Sequence, residues 1–565
     1  MLPRFPRTTG FFFVLTLLVP LATAASAELK IGSSNTAFAD PTVPHPNTTP
    51  CTVVLFKGYK FADFNPKPFS YTPPANCAAP WAKVILEANF SVTKGIQYDR
   101  TANIWIGPTN IYFGTTSEPD PSDARNWHVE RDLTDYSSIF TVPQTGTVDL
   151  FNLYNSTYNG LLQGNATLYF YPLAPNQTAP VTADQVIGFS SGAPGSVQTV
   201  ALDTTGSCCQ PSLSETLTLP TNIQSVFFDV FAQSQHDDEF WYFCVPSAQA
   251  GELESCPNTA FRESEVTIDG TPVGVAPVYP WIFTGGIDPF LWIPIPGVQT
   301  MNFKPYRVNL TPSAGLLDDG QPHTIALSVF NADNYFSATA SLLLYLDHGS
   351  TQVTGSVTQN TLTAPSPTIT ENLRTLKNEN VVGTVNTSSA HNFQISGYVN
   401  TSNGTVTTTV AQNISFTNDQ VFDVGAIIDK QDVKQNTTVH STVTIEDGSG
   451  RTVRKVNYNW PLTLNYDFVV NPDGTYTQYT SINQYYEADE EITLNGQPQY
   501  FALEKNRVTP ADTLFLNSSF GITGNANQSS AQSYFASDTT GYCYSRSLGA
   551  ANNVLTSITD GVGCK

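Results

Sequence analysis

The chain is poor in charge and poorest in positive charge. Only 13% of its 565 residues are charged, and 25 basic side chains stand against 47 acidic ones, a formal net charge of −22. A surface of that sign repels polyanions, which excludes nucleic acid as a partner. Helical periodicity is almost absent, which leaves little room for a helical fold. No phosphate loop or dinucleotide fingerprint occurs, so no nucleotide cofactor is expected. Neither Cys-x-x-Cys spacing nor clustered His is present to supply four zinc ligands. Beyond the N-terminus no apolar run approaches the roughly 20 residues a membrane-spanning helix needs. No internal repeat is visible.

What is present begins with Arg4 and Arg7, an apolar stretch over residues 11–21, and small residues at Ala22, Ala24, Ala25 and Ala27. Residues 1–27 therefore read as a secretory signal peptide, and the mature chain as soluble and without a membrane partner. Loss of the two arginines takes the net charge from −22 to −24. So many carboxylates fit an extracellular, cell-wall or vacuolar setting of acidic pH, where part of them is neutralised. Sequons occur at Asn47, Asn89, Asn155, Asn165, Asn176, Asn309, Asn386, Asn400, Asn403, Asn413, Asn436, Asn517 and Asn527, as expected of a secreted glycoprotein. Eight cysteines, an even number, suit disulfides. The pairs nearest in sequence are Cys51 with Cys77, Cys244 with Cys256, and Cys543 with Cys564; adjacent Cys208 and Cys209 are expected to bond elsewhere than to each other.

Short alternating runs rich in Val, Ile, Thr, Tyr and Phe recur between clusters of Gly, Pro, Asn and Asp, as in residues 148–150, 226–230, 325–329 and 342–346. Hairpin turns are expected at residues 268–271, 447–450 and 471–474. The fold class is all-β, built from antiparallel β-sandwiches. A Pro-rich stretch at 171–180 and a Ser/Thr/Pro segment at 363–370 read as linkers, giving β-sandwich domains at 50–174 and 181–350 and a C-terminal β-rich domain at 371–565.

Three segments carry candidate chemistry. The first is QYDRTANIWIG, residues 97–107, followed by TTSEPDP and WHVERDLTDY. A strand over 98–106 would put Asp99 and Arg100 on opposite faces, and an inward acid needs a partner or a task; anchoring the sheet edge is the alternative. The second is QSQHDDEFWYF, residues 233–243. In extended chain Asp237, Glu239 and Trp241 share a face, a carboxylate beside an indole that suits a sugar, whereas the bland reading is a solvated acidic turn before core aromatics. The third, residues 278–300, is too rich in Pro, Gly and Trp for a strand and either caps a sandwich or lines a cleft. Gly188 to Gly192 matches a serine-hydrolase elbow, but no helix pattern follows and a serine hydrolase is rejected. The acidic run 487–491 lacks EF-hand spacing and reads as a solvated turn.

These segments resemble the acidic peptide:N-glycanase A family of plants and fungi. The likeness rests on Tyr98-Asp99-Arg100, the turn at 116–119, the segment 127–136, Glu239-Phe240-Trp241-Tyr242, the hairpin 262–270 and the loop 282–292, all in order. The hairpin departs by one residue of spacing. A more distant likeness is to bacterial peptide:N-glycanase F, two side-by-side jelly rolls with the active site between them. Its Trp-Asp-Arg-Tyr-Ala-Asn strand is similar to residues 98–103 and its Glu-Trp-Cys-Phe strand to 239–242; a further Glu of that enzyme has no acidic counterpart here, Asn155 lying nearest.

The resemblance implies an amidase that hydrolyses the bond between N-acetylglucosamine and Asn in N-glycopeptides, releasing the glycan and leaving Asp. Asp99 and Glu239 are its implied catalytic residues. Trp241, Arg100, Glu118, Asp238 and Arg262 are the candidates for substrate binding. No metal or cofactor is implied, and the oligomeric state is not legible. The competing readings are a secreted glycan-binding lectin or adhesin without catalysis, and a glycoside hydrolase with two carboxylates.

Overall fold

The computed structural model describes residues 29–204 and 209–564. The leader read at 1–27 and Cys208 lie outside the described residues.

Period-two alternation builds the first sandwich. In the strand Leu162–Pro172, Leu162, Ala166, Leu168 and Phe170 are buried while their neighbours at 163, 165, 167 and 169 are more exposed, the pattern of a sheet with one face in a core. That strand pairs with Cys51–Phe61 and Trp81–Val92, and Arg125–Asp132 completes the antiparallel sheet. Lys67–Tyr71, Gln144–Asp149, Thr101–Ile106 and Thr109–Thr115 form its counterpart. The two share a core in which Leu86, Phe90 and Phe170 meet Ile104, Ile106 and Val148.

The second sandwich repeats the plan. One sheet is centred on Ile223–Gln235 and Tyr335–Leu346, the other on Glu263–Ile268 and Pro322–Phe330. Tyr335–Leu346 is buried on both faces, which is why Leu342-Leu343-Leu344 runs apolar without alternation. Leu342 and Leu344 enter the second core and Leu343 the first. This strand is the seam between the sandwiches. A polar clasp reinforces it: Arg307 donates to Asp229 at 2.7 and 2.8 Å and to Asp135 at 2.7 Å, and Tyr136 Oη donates to Asp229 at 2.8 Å.

The C-terminal third is a twelve-stranded antiparallel sheet with strands as long as Gly404–Gly425. It is not a separate body, because Phe416, Trp460, Leu462 and Ile482 belong to the same core as Trp241, Tyr279 and Trp281 of the second sandwich. The segment read as a linker at 363–370 runs into the strand Thr368–Thr375, which pairs with Val381–Thr401. The acidic run 487–491 lies within the strand Tyr476–Leu494 and not in a turn. Its charges are met across the sheet by Lys505, Arg454 and Lys455.

Among the described residues no helix is long and apolar enough to cross a membrane. Cys244 is bonded to Cys256 and Cys543 to Cys564. Pairing of Cys51 with Cys77 is corrected: both are free thiols. They lie in hydrogen-bonding reach, and burial followed by contact with Cys51 pushes Cys77 up to about 11.

Candidate active site

Asp99 sits just before the strand Thr101–Ile106, where the chain is irregular and not, as expected, within a strand beginning at 98. Its main chain is pinned to the Thr116–Glu118 turn: Asp99 N donates to Glu118 Oε1 at 3.2 Å, Arg100 N to Thr116 Oγ1 at 2.9 Å, and Thr116 N to Arg100 O at 2.8 Å. These bonds bring two carboxyls from one sheet edge together. Burial pushes Asp99 up from the ordinary Asp range, against the Gly285 amide, the Arg100 charge and a hydrogen bond from Glu118. Glu118 is pushed well above the ordinary Glu range by burial and then by the charge of Asp99. Two carboxyls in such contact cannot both ionise cheaply, so Glu118 keeps a proton and donates it to Asp99.

Gly285 comes from the other sandwich, in the loop 282–292. Its amide is a partner of Asp99, and a Cβ there would fall 2.6 Å from Asp99 Oδ1 and closer still to Glu118 Oε1. Only glycine lets main chain approach the pair so nearly. The loop is fastened on both sides of that glycine, with Thr284 Oγ1 donating to Thr116 O at 2.5 Å and Trp292 Nε1 to Gly286 O at 2.9 Å.

Glu239 also comes from the second sandwich. The extended segment expected across 236–241 is corrected: the strand Ile223–Gln235 ends first, Asp237 and Asp238 lie in the tight turn His236–Asp238, and Glu239 caps that turn ahead of a second at Trp241–Phe243. Burial, then the charge of Asp99, pushes its carboxyl up to about 8. The structure thus gathers Asp99, Glu118 and Glu239, with Arg100 close enough to lower the first two.

Other expected binders are placed elsewhere. Asp238 and Arg262 are fully buried against each other, Arg262 Nε and Nη2 donating to Asp238 Oδ1 at 3.0 and 2.9 Å. Asp238 Oδ2 accepts from the amides of Asp333 and Asn334, and Arg262 Nη1 donates to Thr259 O and Phe261 O. Both side chains are spent on structure, which corrects their assignment to substrate. Trp241 is corrected likewise: it is fully buried with its ring 6.2 Å from that of Phe416.

A groove of about 460 Å³ is walled by Thr101, Asn103 and Asp149 of the first sandwich and Gln198, Gln235 and Tyr335 of the second, so that Thr101 brings it within two residues of Asp99 along the chain. Burial pushes Asp149 up to about 7, and burial followed by the charge of Glu239 pushes Tyr335 upward. Asp149, Gly285 and Tyr335 were not singled out from the sequence, since only chain packing brings Asp149 and Tyr335 to this groove and Gly285 to Asp99.

Residues 40–363 match the family model for peptide N-acetyl-beta-D-glucosaminyl asparaginase amidase A. The chain belongs to that family. Among curated relatives, peptide-N4-(N-acetyl-beta-glucosaminyl)asparagine amidase A of Prunus dulcis is 28% identical over 548 residues, covering 94% of this chain and 93% of that protein. Among solved structures, PNGase F, a glycosylasparaginase from Flavobacterium meningosepticum, is 12% identical with a TM-score of 0.35, covering 53% of this chain and 96% of that one. PNGF-II gives 12% and 0.37, covering 53% and 65%. Membership in the amidase A family makes the chain an N-glycan-releasing amidase.

Proposed function

We propose that Asp99 and Glu239, with Glu118 as proton partner of Asp99, carry out the family reaction in the groove between the sandwiches. The reaction adds water to the side-chain carbonyl carbon of a glycosylated Asn and breaks its C–N bond, giving Asp and a glycosylamine. Asp99, raised by burial, is a stronger base than an ordinary Asp and is suited to take the proton of the attacking water. The Glu118 hydrogen bond and the Gly285 amide hold it in place. Glu239 stays protonated up to about pH 8 and can donate to the departing nitrogen. A positioned acid and base each supply about 10²- to 10⁴-fold in rate. The observation that carries this reading is the convergence of three half-buried, desolvated carboxyls from two sandwiches.

Secretion into an acidic medium belongs to the same proposal. It is supported by the leader at 1–27, by the Cys244–Cys256 and Cys543–Cys564 disulfides, and by sequon asparagines 47, 155, 165, 176, 400, 403, 413, 517 and 527, which are exposed; Asn89, Asn309, Asn386 and Asn436 are half-buried.

The test is incubation of the secreted protein with a defined N-glycopeptide at mildly acidic pH, followed by peptide mass. Asp at the former glycan site, lost in Asp99→Asn, supports the assignment. A folded Asp99→Asn protein with most of its activity overturns it. An unchanged glycopeptide that stays bound favours a lectin, and a peptide retaining one N-acetylglucosamine a glycoside hydrolase.

A further inference from the structure

The inner face of the C-terminal sheet is not purely apolar. Along Gly404–Gly425 the buried alternate positions hold Ile414, Phe416 and Phe422, but also Asn418 and Gln420. Other strands add Gln431, Gln478, Gln484 and Gln528, all nearly inaccessible to solvent. A buried carboxamide needs partners, and these find theirs on the two segments of the second sandwich that carry the active site.

The first segment is the turn after Glu239. Asn418 Nδ2 donates to Tyr242 O at 2.9 Å, Gln431 Nε2 to Phe243 O at 3.0 Å, and Gln420 Nε2 to Cys244 O at 3.1 Å. The second segment contains Gly285. Gln484 spans its base, donating to Pro280 O and accepting from Val298 N, both at 2.8 Å. Gln478 Nε2 donates to Ile287 O at 3.0 Å, and Gln528 Nε2 to Ile293 O at 2.9 Å. Both segments are irregular, and the second is interrupted by prolines at 280, 289, 294 and 296, so their carbonyls lack the ladder a strand would provide. The sheet replaces that ladder.

We propose that the C-terminal sheet is part of the positioning apparatus for hydrolysis. Gln478 and Gln484 are positioning residues for Asp99, acting through the Gly285 amide, and Asn418, Gln420 and Gln431 are positioning residues for Glu239. This rests on the catalytic assignment above. It gives the C-terminal third a role in turnover beyond stability, because a displacement of about 1 Å from the productive geometry costs on the order of 10²-fold in rate.

The test uses the full chain with Gln484→Met and Gln478→Met, which keep side-chain length and remove the hydrogen bonds. Gln412→Met is the control, since Gln412 is buried on the same sheet but donates to Ser441 Oγ, outside both segments. Steady-state kinetics and thermal unfolding are measured on each. A drop in kcat of roughly tenfold or more with KM little changed, at a Tm like that of the control, supports the proposal. Values of kcat within twofold of wild type in both variants, or a loss matched by the control, overturn it. If Gln484→Met is not secreted, Gln478→Met, which removes one hydrogen bond to the loop where Gln484→Met removes two, decides. Asp99→Asn and Glu239→Gln are assayed alongside: if these stay active, it is the catalytic assignment that has failed and not the positioning.

Discussion

The amide of Gly285 rests on the carboxyl of Asp99, so close that a Cβ on the glycine would lie 2.6 Å from Asp99 Oδ1. One residue of the second sandwich thereby sets the position of the principal acid of the first, and a single methyl group tests the relationship. Gly285→Ala must push the carboxyl pair aside or lift the loop, and kcat is expected to fall about 10²-fold. Gly286→Ala meets its nearest atoms at 3.2 Å and is expected to stay within a few-fold of wild type. Steady-state kinetics on the two folded variants checks the contrast, and equal losses would count against it.

The pH profile follows from opposite requirements on two carboxyls. As the proposed base Asp99 must be ionised, so activity is expected to rise from the acid side at a pH above its ordinary 3.8. As the proposed acid Glu239 must be protonated, and burial, which pushes it up to about 8, keeps it so through the acidic range, with the proton lost as pH rises through that value. A bell-shaped dependence of kcat/KM with its descending limb near 8 is expected. Glu239→Gln cannot titrate; it should lose that limb together with about 10²-fold of rate. A variant profile that still falls near pH 8 would assign the limb to another group.

Stability should respond to pH through Asp288, buried in the active-site loop against Asp512 of the strand Ala511–Leu516. Burial and then the charge of Asp512 push Asp288 up to about 8, while burial also raises Asp512. The folded-state pKa exceeds the unfolded one, so the folded chain holds a proton that the unfolded chain releases. The contribution is complete below about pH 4 and lost as pH rises through about 8. Denaturant unfolding at pH 5 and pH 8 is expected to show lower stability at the higher pH. Asp288→Asn, whose carbonyl can still accept from Phe290 N, should shrink the difference by on the order of 2 kcal/mol.

Arg262 and Trp241 should matter to folding and not to substrate. Removing one partner of a buried, hydrogen-bonded ion pair costs about 3–5 kcal/mol, so Arg262→Met is expected to be destabilised by that much. Trp241→Phe, which opens a gap beside Phe416, is expected to lose on the order of 2 kcal/mol. In whatever fraction folds, KM should equal that of wild type. A raised KM at unchanged stability would restore either residue to the substrate site.

Much of the fold was legible in local pattern. Alternation marked strands such as residues 325–329, the Asp-Gly turns at 268–271 and 447–450 fall at strand reversals, and the order of motifs carried the family likeness. These signals are local because side-chain alternation and turn chemistry depend on the backbone within a few residues. The site was legible only in part. Asp99, Glu118 and Glu239 were named from motifs, but the run after Gln235 was read with a period of two and fell into tight turns, which exchanged the expected neighbours of Glu239. Asp238 and Arg262 looked like site residues for the same reason, being polar and embedded in the motifs.

By itself the sequence determined that this is an acidic, all-β chain with many sequons and the motifs of one amidase family, since composition and short-range order suffice for each. Only the tertiary structure decided which acids meet, which are spent on ion pairs, that a glycine from a distant loop seats on Asp99, and that glutamines some 200 residues downstream hold that loop in place. The physical reason is that burial, desolvation and hydrogen bonding between remote segments are properties of packed neighbours, and the same Asp, Gln or Gly carries no local mark of which neighbour it will have.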